Sequence, residues 1–125
     1  MLPPILIVDD EESILFAMRE YFTALGYHVD CARELDEAKG LLARTSYAVA
    51  IVDLRLTGSP GTEGLALLDY IRHHHPATQV IILTAYGLPE TEQEARRRGA
   101  EAFLRKHMSL PEVAQVVAVL VGSPS

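Results

Sequence analysis

The sequence predicts an α/β fold with a doubly wound parallel sheet, on three observations. Three runs of strand length are apolar throughout: Ile5-Leu6-Ile7-Val8, Ala48-Val49-Ala50-Ile51-Val52 and Val80-Ile81-Ile82-Leu83. Strands covered by helices on both faces require such uninterrupted runs. Segments with apolar residues at helical spacing separate them, so strands and helices alternate along the chain. Each run also ends at residues with chemistry to offer, on the sheet edge where open α/β sheets bind their ligands.

The elements follow in order. Ile5–Val8 forms the first strand and leads into Asp9-Asp10-Glu11-Glu12. These acids fall in the first turn of a helix, where carboxylates suit the positive end of the dipole. Ile14, Leu15, Met18, Phe22 and Leu25 recur at helical spacing, and Gly26 is placed to end that helix. Tyr27 to Ala32 mixes polar and apolar residues and reads as an edge strand. Leu35, Ala38, Leu41 and Leu42 mark a second helix that finishes near Arg44. The central strand around Ile51 ends in a single aspartate, Asp53; beyond Leu54-Arg55-Leu56 comes a loop rich in turn residues from Thr57 to Gly64. Leu65, Leu68 and Ile71 share one face of a third helix, closed by His73-His74-His75-Pro76. Gln79 to Thr84 is the next buried strand. Leu88-Pro89 opens a fourth helix with Arg96-Arg97-Arg98 in its last turn, before Gly99. Glu101 to Arg105 is the fifth strand, Pro111 sits near the start of the last helix, and Gly122 to Ser125 forms a frayed tail. Right-handed crossovers then place helices on both faces, and a strand order of 2-1-3-4-5 puts the three apolar strands at the centre.

Bulk properties narrow the function. At 125 residues the chain fits a single domain spanning 1–125. A net charge of −6 argues against direct binding to nucleic acid, which needs a basic surface. The single cysteine cannot form an internal disulfide and fits a reducing cytoplasm. Leu2 to Val8 is too short for a membrane span and lacks the basic flank of a signal peptide, so a cytoplasmic protein with no membrane contact is expected.

All strands of a parallel sheet end on one edge. There the sequence brings Asp9 and Asp10, Asp53, Thr84 and Lys106 together. Converging carboxylates repel one another and resist ionisation. A hard cation with oxygen ligands relieves this, and Mg²⁺ typically takes one or two carboxylates plus waters and a phosphate. A lysine and a hydroxyl alongside would add a positive charge and a donor for phosphoryl oxygens.

The acidic pair Asp9-Asp10, Asp53, Thr84-Ala85 and Gly99-Ala100-Glu101-Ala102-Phe103-Leu104-Arg105-Lys106 together resemble the receiver domain of bacterial two-component response regulators. The resemblance runs from about Pro4 to Leu120 and carries with it a flavodoxin-like fold. It implies that Asp53 is the phosphoacceptor, attacking a phosphohistidine on a sensor histidine kinase or phosphotransfer protein. It further implies Mg²⁺ held by Asp10 and Asp53, with Asp9 acting through a water and the backbone carbonyl of Arg55 as a further ligand. Thr84 and Lys106 would contact the phosphoryl oxygens, and Phe103 would repack when Thr84 moves, a population shift between two states.

Departures from the family pattern are also visible. His107 stands where proline is usual, and a cis bond before a non-proline residue costs about 3 kcal/mol, so a trans bond is expected. The loop after Asp53 is longer by about three residues on alignment of Gly64-Leu65, with Thr57 where proline is common. Its Gly58, Pro60 and Gly61 fit a loop that moves over the site or a plain surface insertion. Arg55 and Tyr86, each two residues past a site residue, are expected to set the phosphoryl lifetime. From Val113 to Val121 only Gln115 is polar. A helix covering a sheet needs one apolar stripe, so the surplus suggests a second copy, an effector or a kinase, or small side chains tolerated on a surface. The three consecutive histidines point in different directions around a helix and fit a cationic helix end better than a metal site. Asp30, Asp36 and Asp69 read as solvated surface charges.

The leading reading is a phosphorylation switch that catalyses only its own phosphoryl transfer and hydrolysis. One alternative is a pseudo-receiver that takes no phosphate and serves as an interaction module. The other is a Mg²⁺-dependent phosphohydrolase working through an aspartyl phosphate. That enzyme would want a second acid two residues past its nucleophile, where this chain has Arg55, and a cap for which it has no room.

Overall fold

The computed structural model describes residues 2–55, 63–85 and 88–122. Five strands and five helices alternate: β1 (Pro4–Val8), α1 (Glu12–Leu25), β2 (His28–Ala32), α2 (Leu35–Leu42), β3 (Val49–Val52), α3 (Glu63–His74), β4 (Gln79–Thr84), α4 (Pro89–Arg97), β5 (Ala102–Arg105) and α5 (Leu110–Gly122). All strand pairs are parallel and the order is β2-β1-β3-β4-β5, as the alternation of apolar runs predicts.

Alternation along the strands splits the interior into two layers. Leu6, Val8, Ala50, Val52, Val80, Ile82 and Phe103 face Ala38 and Leu42 of α2, Leu67, Leu68 and Ile71 of α3, and Ala95 of α4. Ile5, Ile7, Val49, Ile51, Ile81 and Leu83 face Leu15, Met18 and Phe22 of α1 and Val113 and Val117 of α5. The central strands are buried throughout apart from Pro4 and Gln79 at their starts, whereas β2 and β5 are only partly so. This is the physical reason the central strands read as pure apolar runs and the edges do not.

Two glycines fix the ends of helices. Gly26 closes α1 at φ 108°, a conformation that L side chains rarely adopt. Gly64, in the first turn of α3, lies so close to the end of β3 that a Cβ there would meet the Asp53 carbonyl oxygen and Leu54 Cα at 2.5 Å. The Gly64 amide donates to the Leu54 carbonyl at 3.1 Å. The start of α3 is thus seated directly on the peptide that carries Asp53.

The central strand ends at Val52, directly before Asp53 as expected, and Leu54 beyond it is still buried. Other expectations change in detail. Asp30 and Asp69 are not merely solvated. Asp30 accepts the Tyr47 hydroxyl at 2.6 Å, because that phenol is buried and needs a partner. Asp69 pairs with Arg98 across the α3–α4 gap at 3.0 Å. Asp36 is exposed, as expected. Tyr70 stacks with His74 at 4.5 Å between ring centroids, and no described metal-ligating group includes the three histidines. On α5, Val113 and Val117 are buried while Val119 is 69% exposed. The loop insertion from Thr57 and the side chain of Tyr86 lie outside the described residues.

Candidate functional site

The carboxyl ends of the strands are held in step by backbone hydrogen bonds that continue past the sheet. The Asp9 amide donates to Ala32 O at 3.0 Å, Asp53 N to Val8 O at 2.9 Å, and Lys106 N to Thr84 O at 3.0 Å. Each donor belongs to a predicted site residue, so the sheet register itself brings Asp9, Asp53, Thr84 and Lys106 to one edge.

Asp9 and Asp53 are buried, at 3% and 5% exposure, and Asp10 is half-buried. Oδ1 of Asp9 accepts the Glu11 amide at 2.9 Å, and Oδ1 of Asp53 accepts the Arg55 amide at 3.3 Å. These bonds orient the carboxylates and turn their Oδ2 atoms towards one cation. Lys106 Nζ lies 2.8 Å from Asp9 Oδ2, 3.1 Å from Asp53 Oδ2 and 3.0 Å from Glu11 Oε1. Thr84 is completely buried, and period two places it on the face of Val80 and Ile82. Phe103 is buried on that face too, paired in register with Ile82.

Electrostatically the site is short of positive charge. Burial pushes the Asp9 carboxyl above the usual carboxylate range, and the bond from Lys106 only partly offsets it. Burial does the same at Asp53, again against the pull of Lys106. For Lys106 burial works downwards, but the bonds to Asp9 and Glu11 and the charges of Asp9 and Asp53 outweigh it and hold the ammonium protonated. The asymmetry has a simple cause. One ammonium collects the attraction of several carboxylates, while each carboxylate receives only a share of one ammonium.

One carboxylate oxygen from each of Asp9, Asp10 and Asp53 lies within 4.8 Å of the others. Three hard oxygen donors at this spacing, two of them buried and under-compensated, suit a small divalent cation that keeps several waters. No sulfur or imidazole belongs to the cluster, which disfavours a softer metal.

Of the residues predicted for the site, Asp9, Asp10, Asp53 and Lys106 converge, Thr84 reaches the same edge through its carbonyl bond to Lys106, and Phe103 lies in the adjoining core beside Ile82. The Lys106–His107 bond is trans, since no described peptide bond is cis. Glu11 is the contact of Lys106 that the sequence did not disclose. It reads as one more acid at a helix start, and its bond to Lys106 closes across 95 residues of chain.

A five-stranded sheet in this order with an acidic edge facing a lysine defines a class of signalling domain, and comparison with known proteins bears this out. The family model of the response regulator receiver domain matches residues 5–118, and the chain belongs to that family. It is 37% identical over 113 residues to the response regulator protein PilR of Pseudomonas aeruginosa, covering 90% of this chain and 25% of that protein. It is 34% identical over 113 residues to the regulatory protein AtoC of Escherichia coli, covering 90% and 24%. The chain thus spans about a quarter of the length of these relatives. Among solved structures it resembles a CheY-like receiver domain protein from Methanospirillum hungatei, with TM-score 0.90, 25% identity and 98% and 96% of the two chains covered. It also resembles the receiver domain of NtrX from Brucella abortus, with TM-score 0.86, 30% identity and 95% and 98% covered. The protein is a signalling domain of two-component systems.

Proposed function

We propose that the chain, a single receiver domain over residues 1–125, is a switch phosphorylated on Asp53. The observation that carries this reading is the pairing of a buried, under-compensated Asp53 carboxylate with Lys106 Nζ at 3.1 Å, beside Asp9 and Asp10. A carboxylate oxygen of Asp53 attacks the phosphorus of a phosphohistidine on a sensor kinase or phosphotransfer protein. The P–O bond forms, the P–N bond breaks, and the imidazole nitrogen takes the electron pair and a proton. Asp10, Asp53, the Arg55 carbonyl and a water on Asp9 would hold Mg²⁺, which neutralises charge on the phosphoryl oxygens when bound.

The residues of the chain do the rest. The Arg55 amide fixes one Asp53 oxygen, leaving the other as the nucleophile. Lys106 gives up its carboxylate bonds to meet a phosphoryl oxygen, and the Thr84 hydroxyl meets another. Movement of Thr84 opens space on the face it shares with Phe103, so Phe103 repacks and alters the α4–β5 surface. Coupling of about 1–3 kcal/mol suffices for such a shift. The exposed Val119 of α5 supports the reading that a second copy or an effector reads the change.

Intact mass after incubation with Mg²⁺ and acetyl phosphate tests the assignment. The expected result is a gain of one phosphoryl group, absent in Asp53→Asn and in the presence of chelator. Continued absence of the gain with a cognate kinase, despite Mg²⁺ binding, would favour the pseudo-receiver instead.

A further inference from the structure

The Lys106 ammonium has three N–H donors and three carboxylate acceptors around it, from Asp9, Asp53 and Glu11. The acceptors are not equivalent. The Asp9 and Asp53 side chains are 4% and 5% exposed and belong to the cluster able to hold a cation, whereas Glu11 is 57% exposed and lies outside that cluster. A divalent cation entering the cluster competes with the ammonium for Asp9 and Asp53. It does not compete for Glu11.

We propose that Glu11 is a positioning residue that keeps the Lys106 ammonium at the rim of the site when a cation takes Asp53 directly and Asp9 through a water, and so eases cation loading. The inference rests on the Mg²⁺-binding part of the proposed function. Its geometry is fixed by the backbone rather than by the carboxylate. The Glu11 amide donates to Asp9 and its carbonyl accepts from Ile14 and Leu15, so Glu11 is pinned at the start of α1 with its side chain free to face β5. Without the Glu11 charge, the ammonium has only the two buried carboxylates and opposes the cation fully. With it, the lysine has somewhere to stay that is still one short swing from Asp53.

The test is a double-mutant cycle on Mg²⁺ affinity, measured by calorimetry on the unphosphorylated protein at fixed ionic strength. Glu11→Gln preserves shape and the backbone bonds, and should weaken Mg²⁺ binding by about threefold to tenfold, in the lower part of the range of direct pairwise couplings. Lys106→Met removes the competitor and should tighten binding. In the Lys106→Met background, Glu11→Gln should have no further effect. Lys106→Gln serves as a second background if thermal unfolding shows that the methionine variant is not folded. An equal loss in both backgrounds would mean that Glu11 acts only as a nearby negative charge, and would overturn the positioning role while leaving Mg²⁺ binding intact. No Mg²⁺ binding by the parent protein would overturn the metal reading itself, and this inference with it.

Discussion

Two charged clusters flank the same sheet and are built on opposite principles. On the α3–α4–β5 side, Glu101 accepts both the Val80 amide at 2.7 Å and Arg72 Nη1 at 3.0 Å, while Arg98 joins Asp69 and Glu94. Charges there are nearly balanced, and the bonds tie α3, α4 and β5 together. At the carboxyl edge of the sheet, Asp9, Glu11 and Asp53 gather around Lys106, with Asp10 beside Asp9 and Asp53. Balanced pairs hold a fold in one state. A surplus of buried carboxylate destabilises one state and makes it responsive to whatever cation or phosphoryl group arrives.

The largest expected effect breaks the seat of the acidic edge. Gly64→Ala places a methyl 2.5 Å from backbone atoms of Asp53 and Leu54, which cannot swing aside. It should cost about 3 kcal/mol in urea unfolding, the upper range for overpacking. At Gly99, in the balanced region, the nearest obstacle is instead the flexible Arg72 side chain at 2.6 Å, although φ there is +104°.

Breaking the balanced cluster comes next. Glu101→Ala leaves the Val80 amide and Arg72 without their acceptor, and Arg72 already has Nε and Nη2 atoms buried with no hydrogen-bond partner. Loss of about 2 kcal/mol in denaturant unfolding is expected for a bond to a charged group. Smaller again is Tyr47→Phe, which removes the 2.6 Å bond from the phenol to Asp30 and should cost about 1 kcal/mol on the same measurement.

How much of this was legible in the sequence follows from the range of each interaction. The apolar runs at Ile5, Ile51 and Ile81 named the central strands because burial on both faces leaves no room for polar residues. The site was legible because parallel strands all end on one edge, so Asp9, Asp53, Thr84 and Lys106 could be placed together without knowing a single distance. Glu11, Asp30 and Asp69 were not readable. Each finds its partner across 17 to 95 residues through a side chain whose direction depends on packing. The stop of β3 at Val52 was readable, because Asp53 ends the apolar run, although Leu54 beyond it is buried again.

The smallest change should have the opposite sign. Asp53→Asn removes a buried charge whose carboxyl is held above its ordinary value of 3.8 by burial. A group with a raised folded value favours folding while protonated and loses that contribution as pH rises through the folded value. Without added cation, Asp53→Asn should therefore be more stable than the parent at neutral pH, and the gain should disappear as pH falls below about 3.8. A variant less stable than the parent at pH 7 would show that the edge is balanced after all.

The most direct test of the surplus of carboxylate is thermal unfolding with MgCl₂ against NaCl at equal ionic strength, on the parent protein and Asp53→Asn. Ligand binding to the folded state alone raises the midpoint with concentration. We predict a Mg²⁺-specific rise in the parent, much reduced in Asp53→Asn, which also reverses their order of stability once Mg²⁺ is plentiful. Identical responses to the two salts, or a rise untouched by loss of Asp53, would contradict the account.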